Sequence, residues 1–327
     1  MKAHLAPTPE TAAWEELCAG SAREAYRRAL LELARSDPRI LCLDSDTGGL
    51  EDTLGAELPG QYVNVGIAEA TLVSAAAGLA AAGRIPFVNT MAGFATLRAG
   101  EQLKLDVAGS GLPVKVVATH AGLSAGHFGP THHALEDLAV VTALPGITVL
   151  VPADTVETVL AVRAAAALPG PVYVRLGRGE TPRVHPGPFE LEVGRALVLR
   201  QGGDVTLAAT GPHPVLLAVE AAGRLRSDGI AARVLDVHTL RPLDVEALVA
   251  ASRETGGVVT IEEHGPHGGL GGAVAETLAE RAPCPVLRVA ASMDVRDRVG
   301  GQEVLLREAG VDLDRVLAAA RRVAAWR

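Results

Sequence analysis

Short β-branched and apolar runs alternate with stretches of helical character along this chain, and that alternation leaves few folds open. Strands are predicted at 40–43, 62–65, 86–88, 114–118, 148–151 and 172–176, with helices between them at 21–35, 69–82, 94–108 and 155–167. Repetition of this kind implies right-handed crossovers and a parallel sheet covered by helices on both faces. A proline-rich, weakly periodic stretch follows, Glu180-Thr181-Pro182-Arg183-Val184-His185-Pro186-Gly187-Pro188. Proline disfavours helix at the preceding residue and stiffens a connector. The alternation then resumes at 205–209, 215–226, 232–236, 245–255, 257–262, 273–281 and 286–290. The expected organisation is an α/β domain over 1–180, a linker over 181–193 and a smaller α/β domain over 194–327.

At 327 residues, 48% hydrophobic and 21% charged, the chain has ample material for two cores. Aromatic residues are only 3%, so alanine, valine, leucine and glycine must fill the space. The net charge of −8 argues against nucleic acid or an anionic membrane as the main partner. From Met1 the sequence passes Pro7 and Pro9 into a charged segment, with no signal-like or membrane-spanning run, which predicts a cytoplasmic protein. Cys18, Cys42 and Cys284 are far apart and in no C-x-x-C pair, so they read as reduced thiols without a catalytic role.

Glu69 is placed where a glutamate is awkward. It follows the run Tyr62-Val63-Asn64-Val65 and the turn residue Gly66, and opens a helix of almost nothing but small or apolar side chains. A helix apolar on every side is expected to be buried. Burial disfavours the charged carboxylate, while the helix N-terminus favours it. Two readings stay open on these residues alone: an acid complementing the helix dipole, or a carboxyl available for proton exchange with a buried heterocycle.

A second cluster comprises Thr119-His120-Ala121-Gly122 and Gly126-His127-Phe128-Gly129-Pro130-Thr131-His132-His133, directly after the strand ending near Ala118. Loops at the carboxyl ends of parallel strands are where such folds bind ligands. A solvated loop is one reading; phosphate or hydroxyl recognition with proton transfer is another. No H-E-x-x-H or comparable spacing points to a metal centre, and none is expected on this chain. Gly265 to Gly272 lacks the G-x-G-x-x-G spacing and reads as a tight turn into a packed helix.

Taken together, Gly66-Ile67-Ala68-Glu69, Asn89-Thr90-Met91-Ala92-Gly93-Phe94, Thr119-His120, Gly129-Pro130-Thr131-His132 and Arg175-Leu176-Gly177-Arg178 resemble the transketolases in order and spacing. Asp236-Val237-His238-Thr239-Leu240-Arg241-Pro242-Leu243 and Glu262-Glu263-His264 followed by Gly269-Leu270-Gly271 are similar to the transketolase C-terminal domain. The resemblance covers nearly the whole chain but only the C-terminal half of a full-length transketolase. It implies a parallel-sheet pyrimidine-binding domain of the thiamine diphosphate fold plus the smaller C-terminal α/β domain. Transketolases hold the diphosphate and Mg²⁺ on another domain, marked by G-D-G and Asn-Asn, and this sequence contains no Gly-Asp-Gly. The resemblance therefore implies a split enzyme assembled as an α2β2 heterotetramer, in which an N-terminal transketolase subunit is the partner and holds most of the thiamine diphosphate and Mg²⁺.

By the same resemblance, Glu69 is the carboxyl that favours the imino tautomer of the cofactor's aminopyrimidine, and Phe94 packs on that ring. Met91 and Leu97 stand where many transketolases carry aromatics, and Asp46 aligns with an aspartate near the thiazolium. Arg23, His120 and Arg178 match positions that bind the sugar phosphate, and His132 matches a histidine that contacts substrate hydroxyls. One departure concerns substrate choice. Transketolases usually place a hydroxyl-sensing aspartate where this chain has Phe128, next to His127. Phenylalanine cannot accept a hydrogen bond, so a modified sugar or a different donor or acceptor is expected. The rival readings are the beta subunit of the decarboxylating component of a 2-oxo acid dehydrogenase and a non-catalytic paralogue.

Overall fold

The computed structural model describes residues 11–326, so the reading of the first ten residues lies outside the described part. The chain forms two compact units. One takes the residues up to Ala121 together with Val140–Val193, and the other takes Gly122–Ala139 with everything from Gly194 onward.

In the first unit the strands are β1 (Ile40–Asp44), β2 (Tyr62–Asn64), β3 (Ile85–Met91), β4 (Lys115–Thr119), β5 (Thr148–Leu150) and β6 (Val172–Arg175). They lie in the order β5-β6-β4-β3-β1-β2, and every neighbouring pair is parallel. β1, β4 and β6 are buried at each residue. Burial on both faces is why they appear in sequence as continuous apolar runs.

The helices so far are α1 (Thr11–Leu17), α2 (Ala22–Ser36), α3 (Glu69–Ala81), α4 (Gly100–Gln102), α5 (Asp137–Ala143) and α6 (Thr155–Ala167). α2 starts at a capping box: Ser21 Oγ accepts from the Glu24 N–H at 3.3 Å, and the Ser21 N–H donates to Glu24 Oε2 at 2.8 Å. Asp154 caps α6, accepting the Glu157 N–H at 2.9 Å on Oδ1. Its other oxygen accepts the N–H groups of Val184 and His185 at 2.8 and 2.7 Å. The same carboxylate thus starts a helix and ties down the proline-rich segment, whose Leu191 joins Trp14, Tyr26 and Leu30 in one core cluster.

Two helical expectations need correction. α3 buries Leu72, Val73, Ala76, Ala77 and Ala80, but Thr71, Ser74, Ala75, Gly78 and Ala81 are exposed. Its small residues supply only one face to this chain's own core. The stretch 94–108 is not one regular α-helix. π-helical turns at Phe94–Arg98 and Leu103–Ala108 flank α4, and Ala99 leaves helical geometry at φ −109°, ψ 20°. An apolar pattern alone does not separate α from π winding.

The second unit contains β7 (Leu197–Arg200), β8 (Val205–Thr210), β9 (Ala232–Asp236), β10 (Thr239–Arg241), β11 (Val258–Glu262) and β12 (Val286–Val289). Its sheet runs β12-β11-β8-β9-β7, parallel except where β7 pairs antiparallel with β9. The helices are α7 (Pro212–Ser227), α8 (Val245–Glu254), α9 (Leu270–Arg281), α10 (Gln302–Glu308) and α11 (Leu313–Ala324). α7 and α11 pack together over this sheet. β7, α10 and α11 go beyond the sequence-based prediction. No helix among the described residues is long and apolar enough to cross a membrane.

Candidate active site

In the first sheet β1 lies between β2 and β3, so the crossovers diverge around it. Open α/β sheets take ligands in the crevice outside the strands' carboxyl ends at such a switch point. Asp44 at the end of β1 is in register with Asn64 of β2 and Asn89 of β3, and Met91 of β3 with Thr119 of β4. The segments leaving these ends carry Asp46, Glu69, Phe94 and His120 in turn, and Arg178 follows β6. Candidates scattered over more than 130 residues of sequence therefore share one edge of one sheet.

That edge is braced from beneath. Buried Asp44 accepts from Asn89 Nδ2 at 2.7 Å, Thr47 Oγ1 at 2.8 Å and the Tyr62 hydroxyl at 3.1 Å. Asp46 leaves the brace at φ 62° and accepts from Asn64 Nδ2 at 3.2 Å. His120 sits at φ 57°, its Nδ1 2.9 Å from Thr119 Oγ1, which in turn donates to the Thr90 carbonyl at 3.2 Å. Among the described residues these are the two non-glycine positions with positive φ. Left-handed backbone costs such residues about 1 kcal/mol, and strain of this kind collects at ligand sites.

Glu69 is the first residue of α3 and only 2% exposed. Arg98 Nη1 donates to its Oε2 at 2.8 Å, and the Arg98 guanidinium lies 4.1 Å from the centroid of the Phe94 ring. Carboxylate, guanidinium and ring form one interlocked group, held by the π-helical turn that brings Phe94 and Arg98 to the same side. Sequence reasoning missed Arg98. Its signal was a lone cation one turn past Phe94 in a run of small residues. Met91 is partly buried, whereas Leu97 is 64% exposed. Thr90 Oγ1 nearby on β3 is a buried hydroxyl without a hydrogen bond.

A cationic group lies in the same unit. Burial first, then the charges of Arg27 and Arg178, push the Arg23 guanidinium below its ordinary value. Two arginines expected to bind an anion thus feel one another, joined by Arg27, which donates to the Gly48 carbonyl after β1. Like charges held close to one another favour binding an anion.

The remaining candidates belong to the second unit. His127 and Phe128 are exposed, with ring centroids 4.0 Å apart, and Phe128 lies 4.8 Å from His132. His132 Nδ1 is 2.8 Å from Thr131 Oγ1. The adjacent His133 has both ring nitrogens buried without a hydrogen bond, and burial together with His132 pushes its pKa down. The structure therefore groups Arg23, Asp46, Glu69, Met91, Phe94, Leu97, His120 and Arg178 on one unit, and His127, Phe128 and His132 on the other.

Two further expectations from sequence concern thiols and glycines. Burial pushes the Cys18 thiol up to about 11 and the Cys42 thiol well above its ordinary value, which keeps both protonated. The glycine-rich segment turns into α9, whose Leu270 and Gly271 N–H groups donate to the Glu262 carboxylate at 2.7 Å each. That helix start is satisfied by the chain's own acid.

Residues 20–183 match the family model for the transketolase pyrimidine-binding domain, and 194–316 that for the transketolase C-terminal domain. The 6-deoxy-6-sulfo-D-fructose transketolase subunit SqwH of Clostridium sp. (strain MSTE9) is 40% identical over 92% of this chain and 94% of its own length. An apulose-4-phosphate transketolase subunit of Phocaeicola vulgatus is 43% identical over 81% of this chain and 85% of its own. A solved structure described as a split-gene transketolase, an inactive beta4 tetramer, is 42% identical. It superposes with a TM-score of 0.85, covering 94% of this chain and 98% of that one. With both domain models matched in order and relatives of similar length aligned almost end to end, the chain belongs to the transketolase family.

Proposed function

We propose that this chain is the C-terminal subunit of a split, thiamine diphosphate-dependent transketolase, active when joined to an N-terminal subunit that holds most of the diphosphate and Mg²⁺. The observation that carries the reading is buried Glu69, locked with Phe94 and Arg98 at the sheet edge where Asp46 and His120 hold left-handed backbone. The residues fit such a cofactor: an aromatic face, a buried carboxylate, and the unpartnered hydroxyl of Thr90. When bound, thiamine diphosphate supplies the nucleophilic carbon for cleaving a ketose C–C bond. Glu69 would exchange a proton with the aminopyrimidine, Phe94, Met91 and Leu97 would help hold that ring, and Asp46 would serve the thiazolium side. Arg23, His120 and Arg178 hold the anionic end of the substrate, and His132 its hydroxyls.

Relatives named for apulose 4-phosphate and for 6-deoxy-6-sulfo-D-fructose support a donor ending in phosphate or sulfonate. Phe128 cannot reward the hydroxyl that an aspartate would, so we place a specialised ketose ahead of ordinary pentose phosphates. The exposed face of α3 and the exposed Ile67 (73%) and Leu97 (64%) beside it suit a contact between subunits, as in an α2β2 assembly.

The test is co-expression with a neighbouring subunit carrying G-D-G and Asn-Asn. Ketol transfer is then measured from xylulose 5-phosphate, apulose 4-phosphate and 6-deoxy-6-sulfofructose. Transfer is expected from the complex and not from the isolated chain, with xylulose 5-phosphate the poorest donor. Turnover by the chain alone would sink the split-subunit reading, and decarboxylation of a 2-oxo acid in place of ketol transfer would favour the dehydrogenase-type rival.

A further inference from the structure

The segment Gly122–Ala139 carries His127, Phe128 and His132, yet has little regular structure of its own beyond a 3-10 turn at Gly126–Phe128 and the first residues of α5. A loop that positions reacting groups must be held by something else. Main-chain ties to the rest of the second unit run to the end of β11 and to the segment leading into α10.

The strongest tie is Glu263. This buried carboxylate accepts the Leu123 N–H on Oε1 at 2.7 Å, across 140 residues of sequence. Gln302 Nε2, at the start of α10, lies 2.9 Å from each of its oxygens. Gly122 sits directly against that carboxylate at φ 63°, and a Cβ there would overlap it. Further along, the Gly300 N–H donates to the Gly126 carbonyl at 3.1 Å, and the Gly265 N–H to the Leu135 carbonyl at 2.8 Å. His264 Nε2 accepts the Ala139 N–H at 3.3 Å. Within the loop, Gly122 and Ala134 exchange N–H bonds of 3.0 and 2.9 Å.

Burial follows the same plan. Residues 121–126 are buried, and the chain turns outward at His127 and at Phe128, which is 49% exposed. The base of the loop is fixed, and the stacked rings stand on it.

We infer that Glu263, itself held by Gln302, is a positioning residue for ketol transfer: it sets the base of the loop that presents His127, Phe128 and His132. The inference rests on the proposed function for the roles of those rings. It also gives the second unit a part in the reaction: without touching substrate, Glu263 holds the groups that do. A carboxylate suits the task because bonds from N–H donors to an ionised acceptor are short and strong.

The amide in Glu263→Gln can still accept from Leu123 but turns a donor toward the Gln302 donor. Exchanging the two groups in Glu263→Gln/Gln302→Glu restores one donor and one acceptor at the same volume. Amide hydrogen exchange on the full chain is the first readout. Glu263→Gln is expected to speed exchange at Leu123 and along 124–134 by tenfold or more, with β8 and β11 still protected, and the double exchange to reverse this. In the complex with the partner subunit, Glu263→Gln is expected to lower kcat/KM at least tenfold. Proton exchange at the thiazolium carbon, which depends on Glu69, should be unchanged, and the double variant should recover most of the transfer.

Unchanged loop exchange, or a double variant no better than the single one, overturns the inference. So does equal loss of thiazolium exchange and transfer, which would mean general damage. A wild-type complex that transfers no ketol unit from any of the three donors overturns the functional reading instead, and the exchange pattern still decides whether Glu263 holds the loop.

Discussion

α3 and α6 are each 13 residues long, rich in alanine, and each carries a buried glutamate in its first turn. By hydrophobic pattern they are the same helix. α6 is buried at every residue from Thr155 to Ala165, packed against α2 and the sheet. α3 buries one face and leaves Thr71, Ser74, Ala75 and Gly78 in solvent. The glutamates differ as well. Glu157 accepts the Ala153 N–H at 2.5 Å and completes its own helix start. Glu69 is paired with Arg98, a side chain 47% exposed, from outside its helix. A first-turn acid complementing its helix end is what Glu157 is. Glu69 also stands in a first turn, but its carboxylate is taken by Arg98, whose guanidinium lies over Phe94, an arrangement that supports the proton exchange proposed for it.

The largest expected effect tests that contrast. Glu69→Gln should lower ketol transfer by about 10²- to 10⁴-fold, the usual worth of a general acid–base group. Its pair with Arg98 is half in solvent, so stability should change by about 1 kcal/mol or less. Rates of the complex and urea denaturation of the chain measure the two. A variant that unfolds while keeping its specific activity would make Glu69 a second Glu157.

Next come the helix faces. Leu160→Ala in α6 removes a buried side chain and should cost about 2–5 kcal/mol of chain stability. Ala75→Glu on the open side of α3 should leave the chain's denaturation midpoint nearly unchanged and prevent assembly, read by sedimentation of the mixture with the partner subunit. Normal assembly by Ala75→Glu would mean that no subunit covers that face.

The third is smaller. Glu157→Gln keeps an acceptor for Ala153 but loses charge at a helix N-terminus, a cost of about 1–2 kcal/mol. Specific activity of the folded complex should be unchanged. A loss of activity beyond the unfolded fraction would erase the distinction between the two glutamates.

Much of this was legible in sequence, for a physical reason. β1, β3, β4 and β6 are buried along most or all of their length, so they read as short, mostly apolar runs, and the candidate site residues follow them in short turns. β7 was missed because it is an edge strand, half buried at alternate residues over only four positions. The open face of α3 was missed because small apolar residues pack equally well against the same chain or another. Arg98, a lone cation in sequence, could not be matched to its partner because Glu69 is 29 residues away, nor Glu263 to Leu123 across 140. Pairings across that distance exist only once the strands are assembled.

An effect comparable in size lies at the far end of α6. Lys115, buried at the start of β4, donates from Nζ to the carbonyls of Leu168 and Gly170 at 2.6 and 2.7 Å, just past the last turn of α6. Burial pushes its ammonium down to about 7. Unfolded lysine titrates near 10.4, so from about pH 7 to 10.4 the unfolded chain binds a proton that the folded chain does not. Stability from this group is therefore full above that window and is lost as pH falls through it, with a slope of at most about 1.4 kcal/mol per pH unit. Cys18 and Cys42 act in the opposite sense. Their folded-state values are raised, so above the unfolded thiol value of about 8.5 they remove stability as pH rises. The interval from about pH 7 to 8.5 isolates Lys115. Denaturation midpoints should climb across it in the native chain and stay level in Lys115→Met. A Lys115→Met chain that climbs just as steeply would show that Lys115 keeps its proton in the fold, held by the two carbonyls at the end of α6.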